Sequence, residues 1–259
     1  MSFNRGRFLL PAVAVGAVVV LVGGCSPAEG GAKARGGESS GAASAKAVRP
    51  LSAQELAAAL PTEASAPGFR IVGTPTLRTG GSTWGADAEP EVCRPLWEAR
   101  AGGPDRAVAS ASLSISHSDT ALETRFLTFA SLGPGQAEAF VASVGKALAS
   151  CASTSIVSSR GDRVTTQVEE VTEPTVAGYD AVSFRMRWHS EIDGFAADTH
   201  TLVTTLRAGD ATLTEVADIS LGSRLSAARQ RAFVPTLYPD PLKAQADSLR
   251  EAQSRSAAG

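Results

Sequence analysis

Residues 8–22 form an apolar run, interrupted only by Pro11 and Gly16, that follows Arg5 and Arg7 and stops at Gly23-Gly24-Cys25. As a helix this run would reach roughly 22 Å, short of the roughly 30 Å hydrocarbon core of a bilayer. A positive start, a short apolar stretch and small residues at the end read as a cleavable export signal over residues 1–24. The chain is therefore expected to fold outside the cytoplasm, where disulfides persist.

Leu21-Val22-Gly23-Gly24 before Cys25 resembles a bacterial lipobox, with an aliphatic residue at −3 and glycine at −2 and −1. Small residues admit the chain to a peptidase site. A thiol is the side chain that can form the thioether to diacylglycerol, so Cys25 is the expected lipidation site. Arg5-Gly6-Arg7 is not a twin-arginine pair, which favours general secretion. The expected address is the outer face of the cytoplasmic membrane. Removing residues 1–24 takes away Arg5 and Arg7 and no acidic residue, leaving 22 basic against 26 acidic side chains, a net −4. Such a charge implies neither a nucleic-acid partner nor a domain lying flat on anionic lipid.

Residues 25–50 read as the lipidated cysteine and a flexible linker. They hold no large apolar residue before Val48, so ordering them would cost entropy with little burial to offset it. The linker gives an r.m.s. reach of roughly 25–30 Å. A folded domain is expected over 51–238. Ser52-Ala53-Gln54-Glu55 is a capping-box pattern before Leu56 and Leu60, and Pro61 stops that first helix. Residues 239–259 offer only Leu242 and Leu249 as large apolar residues and read as a weakly ordered tail, at most a marginal helix.

Within the domain, Ala109, Ala111, Leu113 and Ile115 alternate with Ser110, Ser112, Ser114 and Ser116, the period of a half-buried strand. A second strand over 121–131 completes a hairpin. After Gly133-Pro134-Gly135, the residues Ala137, Phe140, Val141, Val144 and Leu148 make one helical stripe over 135–150. Four further strands are expected around 164–168, 182–188, 199–207 and 211–219, and a last helix at 223–233. Short connections favour antiparallel pairing. The expected fold class is α+β, an antiparallel sheet of about six strands against one main helix and two shorter ones.

With Cys25 lipidated, Cys93 and Cys151 remain, and an even remainder in an oxidising compartment reads as one bridge. Their spacing is that of neither a CxxC redox motif nor a zinc site. The lipobox and linker, Leu51-Ser52-Ala53-Gln54-Glu55-Leu56, Cys93-x-x-Leu96-Trp97, the hairpin, the helix bearing Phe140 and Cys151 at its end together resemble a known layout. It is that of actinobacterial lipoproteins similar to the extracytoplasmic sensor domain of PknH-type receptor kinases. The resemblance implies a non-enzymatic domain that binds an unidentified ligand in a groove beside the sheet. Members commonly carry a second disulfide, for which this chain has no cysteines left.

Catalytic patterns are sparse. No HExxH, GxSxG, Walker, EF-hand or dinucleotide motif occurs. No cofactor or metal is expected. His189 and His200, with Glu191 or Asp198, are a weak zinc candidate against the simpler reading of an outer sheet face. Arg185, Arg187 and His189 share one strand face and are the candidate anion-binding residues, again against a plainly solvated face. Gly80-Gly81-Ser82-Thr83-Trp84-Gly85 reads as a surface turn rather than a phosphate cradle. Two functions compete. One is a membrane-anchored ligand-binding or sensor-like domain, with a small ligand or an envelope protein as partner. The other is an envelope hydrolase with a Ser/His/Asp site that the sequence does not single out.

Overall fold

A computed structural model describes residues 49–65, 69–117, 123–157, 163–192, 195–222 and 235–258. The expected export signal, Cys25, the linker up to residue 48 and the helix at 223–233 lie outside the described residues. In chain order the elements are α1 (Ala53–Ala59), β1 (Phe69–Thr79), α2 (Arg94–Arg100), β2 (Ala109–His117), β3 (Glu123–Ser131) and α3 (Gln136–Leu148). Then come β4 (Ser153–Val157), β5 (Arg163–Val171), β6 (Ala181–Ile192), β7 (Phe195–Ala208), β8 (Ala211–Gly222) and α4 (Pro239–Ala258). A single 3-10 turn, Glu91–Cys93, leads into α2. All these elements belong to one unit, Ala45–Gly259.

The eight strands form one sheet in the order β1-β2-β3-β8-β7-β6-β5-β4, and every neighbouring pair is antiparallel. The α+β class and the antiparallel pairing agree with the sequence reading. The count of six strands is corrected to eight and that of three helices to four among the described residues, with α2 unforeseen. The two additional strands, β1 and β4, are the sheet edges. All eight residues of β1 after Ile71 are exposed, and a register shift between Val72 and Thr76 breaks its alternation, so it lacks a buried stripe. β4 has five residues, too few for a period to show.

Alternation sends successive side chains of the central strands into two different cores. Leu202, Leu206, Leu213 and Ala217 join Ala111, Leu113, Ile115, Leu127 and Phe129 on one face, beneath α1 and α4. Val203 and Val216 join Phe184 and Met186 on the other, beneath α2 and α3 through Leu96, Trp97, Phe140 and Val144. Covering a sheet on both faces needs helices at both sides. On the first face α1 lies over β1–β3 and α4 lies beside it over β7 and β8, whereas on the second face α2 and α3 lie over the β5–β8 end alone.

α1 starts as the capping box dictates: Ser52 Oγ accepts from Glu55 N–H at 3.3 Å and Glu55 accepts from Ser52 N–H at 2.8 Å. The Arg49 guanidinium beside Glu55, and then these Ser52 bonds, hold that carboxyl down at about 2. The Cys93–Cys151 disulfide joins the 3-10 turn before α2 to the end of α3, with Cα atoms 5.9 Å apart and both residues buried.

The expected weakly ordered tail at 239–259 is corrected to a 20-residue helix, α4, reaching residue 258. Its stripe is Leu242, Ala246, Leu249 and Ala252, all buried. Half of that stripe is alanine, and small side chains let the helix lie close to the sheet without standing out in the sequence. Tyr179 anchors it by donating to Asp247 Oδ1 at 2.5 Å, while Arg250 lies over the Tyr179 ring at 4.5 Å. Burial, and then the bond to Asp247, push the phenol up to about 12. Tyr179→Phe is expected to cost about 1 kcal/mol, concentrated in α4. Amide hydrogen exchange measures it: α4 amides should exchange faster while those of β7 and β8 do not change.

Candidate functional site

The staggered helices leave the second face of β1, β2 and β3 without a helix over it. The serine side of β2, which the alternation places opposite the core, becomes the floor of a groove of about 640 Å³. Ser112, Ser114, Thr76 and Thr128 supply hydroxyls, with Ser112 Oγ and Thr128 Oγ1 3.0 Å apart. Phe126 lies on the same floor, opposite Ser114 in the register, and is 40% exposed. Arg78 stands at the β1 side. No carboxylate pairs with Arg78 among the described residues.

The opposite wall is built by the end of α2 and the 80–88 loop. That loop is fixed by two backbone bonds, Glu89 N–H to Ser155 O at 2.8 Å and Ser155 N–H to Glu89 O at 2.9 Å. Gly85 adopts φ +93°, and a Cβ there would stand 2.5 Å from Trp97 Cβ. Glycine is required for that approach. Trp84 is thereby set edge-on to Trp97, ring centres 5.5 Å apart, and remains 43% exposed over the groove. Trp97 is buried and donates its indole N–H to Thr154 Oγ1 at 3.1 Å.

Arg100, at the end of α2, lies against two indoles. Its Cζ lies 5.6 Å from the Trp84 ring and 5.7 Å from the Trp188 ring. One Nη donates to Asp218 Oδ2 at 2.7 Å, and Asp218 Oδ1 accepts from Thr201 at 2.5 Å. Burial lowers the Arg100 pKa and Asp218 opposes that. The Arg100 Nε is buried with no hydrogen-bond partner among the described residues. Arg100 and Asp218 both line the groove, so its ionisable lining is two guanidinium groups against one carboxylate. The volume falls within the roughly 300–1,000 Å³ range of small-molecule sites.

The candidate residues read from the sequence lie elsewhere. Arg185 pairs in register with Leu202 of the first core, which puts Arg185, Arg187 and His189 on the face turned away from the groove. The register brings His189 opposite Asp198, with Nδ1 3.0 Å from Oδ1, and Arg187 opposite His200. Arg187 also approaches Asp198 at 3.9 Å. One carboxylate thus offsets the patch. The His189 side chain is 59% exposed there. His200 is pushed below the ordinary imidazole range by burial and then by Arg187, with Asp198 acting against them. The two histidines are diagonal across β6 and β7. Among the described residues no three His, Cys, Asp or Glu side chains come together as a metal site would require. The Gly80–Gly85 segment, taken from the sequence as a surface turn, is the groove wall. The signal available was the single tryptophan inside a glycine-rich loop.

No protein-family model and no curated protein matches the chain in sequence. In fold it is distantly similar to the extracellular domain of PknH from Mycobacterium tuberculosis, at 12% identity and a TM-score of 0.47, over 80% of this chain and 99% of that one. It is also similar to an uncharacterised protein of Mycobacterium smegmatis, at 12% identity and a TM-score of 0.38, over 76% of this chain and 95% of that one.

Proposed function

We propose that this chain is an exported lipoprotein, anchored through Cys25 to the outer face of the cytoplasmic membrane, whose folded domain binds a ligand and does no chemistry on it. The observation that carries the reading is the groove on the serine side of β2, with Trp84 and Phe126 exposed over it and Arg78 without a carboxylate among the described residues. Exposed aromatic rings in a concavity cost free energy in water and regain it when a ligand covers them. The lipobox pattern at Cys25 supports anchoring, and the buried Cys93–Cys151 bridge is in keeping with an oxidising compartment. Residues 26–49 would act as the tether, and an envelope protein is the alternative occupant. The Arg185, Arg187 and His189 face is a secondary candidate surface.

The test is a thermal-shift screen of the full chain in detergent micelles against saccharides, fatty acids and peptides, repeated with Trp84→Ala. The expected result is a rise in melting temperature with one class that the variant loses. Shifts equal in the two proteins would place binding outside the groove and contradict the reading. The anchor is tested separately, by fatty-acid labelling that Cys25→Ala abolishes.

A further inference from the structure

We propose that the groove takes an acidic saccharide, a sugar ring bearing a carboxylate or phosphate. This rests on the groove being a ligand site and names what fills it. Three features of its lining must be satisfied together. The first is the floor of hydroxyls, Thr76, Ser112, Ser114 and Thr128. A hydrocarbon chain laid on it would strip these groups of water and return nothing, whereas sugar hydroxyls donate and accept in turn. The second is the pair of exposed rings, Trp84 and Phe126, at two places of one groove. An aromatic face attracts the polarised C–H side of a pyranose while leaving its hydroxyls free to reach the floor.

The third feature is charge. Arg78 has no carboxylate among the described residues, and Arg100 keeps one buried Nε without a partner while Asp218 occupies an Nη. The neighbouring cavity, shared by Arg78 and Trp84, contributes Asp87. Even so the groove itself holds one more guanidinium than carboxylate, in a chain whose net charge is −2. A planar guanidinium grips a carboxylate or phosphate with two parallel bonds. The saccharide's anion belongs on Arg78, and its ring on Trp84.

The protein carries its own reporter. It has three tryptophans, and all stand around this wall: Trp84 and Trp188 both against Arg100, and Trp97 against Trp84. Intrinsic fluorescence of the full chain in micelles is titrated with trigalacturonate, with neutral maltotriose and with inorganic phosphate. The expected result is a saturable change with trigalacturonate alone. Arg78→Ala should weaken that binding about ten-fold or more, from loss of a charged hydrogen bond. Arg78→Lys, which keeps the charge but not the fork, should fall between, and Lys146→Ala on the outer side of α3 should bind as the parent does. Equal binding of maltotriose, phosphate binding as tightly as trigalacturonate, or an unchanged Arg78→Ala would overturn the acidic-saccharide assignment. If none of these probes binds while another class gives a Trp84-dependent thermal shift, this proposal fails and the groove remains a site. If no class does so, both fail.

Discussion

Arg125→Met should lower the unfolding free energy by about 3–5 kcal/mol, the cost of stranding buried carboxylates without their cation. Arg125 is fully buried on the first face between Glu123 and Glu215, which are themselves 5% and 4% exposed. It pairs with Glu215 at 3.0 Å and with Glu123, and donates to the Thr236 carbonyl. Its guanidinium also lies 4.5 Å from the centre of the Tyr238 ring, which stands edge-on to Phe69. One side chain therefore ties β3, β8, the start of β1 and the approach to α4. Urea unfolding measures the loss. Replacing Arg125, Glu123 and Glu215 together by apolar residues of similar volume should recover most of it, because no charge is then left buried. A triple variant as unstable as the single one would show that the cluster acts by shape and not by charge.

The same cluster has a pH signature. One guanidinium faces two carboxyl groups, and burial pushes Glu215 above the ordinary carboxylate range, with Arg125 opposing and Glu123 adding to the rise. A carboxyl raised on folding binds its proton more tightly in the folded state. Its contribution is complete below the ordinary range and is lost as pH climbs through the raised value. Glu215→Gln keeps the neutral shape at every pH. Its stability relative to the parent should therefore rise between about pH 5 and pH 8, read from urea midpoints. A relative stability that falls over that interval would contradict the direction.

The second large effect belongs to the disulfide. Serine at both Cys93 and Cys151 should cost about 4 kcal/mol in the chain-entropy account, given a sequence separation of 58 residues. The bridge holds the turn before α2 against the end of α3, and α2 carries both Trp97 and Arg100. The loss should therefore reach the groove: Trp84 and Trp97 fluorescence should shift in the folded variant before global unfolding begins. Reduction of the parent should reproduce both effects. A reduced protein with unchanged midpoint and unchanged fluorescence would confine the bridge to a passive role.

The parts legible in the sequence share one property: a local pattern of large apolar residues or a known cap. Ser52 and Glu55 announce α1, the Ala109-to-Ile115 alternation announces β2, and Phe140 with Val144 announces α3. β1 stayed hidden because an edge strand with a break at Gly73-Thr74-Pro75 buries almost nothing after Phe69. α4 stayed hidden because Ala246 and Ala252 complete its stripe, and their burial depends on how near the sheet comes. The groove was legible only in part. Alternation set Ser112 and Ser114 on the polar side of β2, but an outward serine looks the same whether it meets open water or a concave wall. What encloses it, the Trp84 loop and the end of α2, comes from residues 80–102 and is brought over β2 by tertiary packing alone. Arg185, Arg187 and His189 drew notice as a charged stripe, a pattern that a solvated strand face also produces.

The most direct test of the groove is to follow the three indole N–H signals and the backbone amides by NMR while mixtures of small saccharides, fatty acids and peptides are added. The account predicts that binding molecules move the Trp84 indole and the amides of Ser112, Ser114 and Phe126 together. Binding that moves the amides of Arg185, Arg187 and His189 and leaves Trp84 still would contradict it.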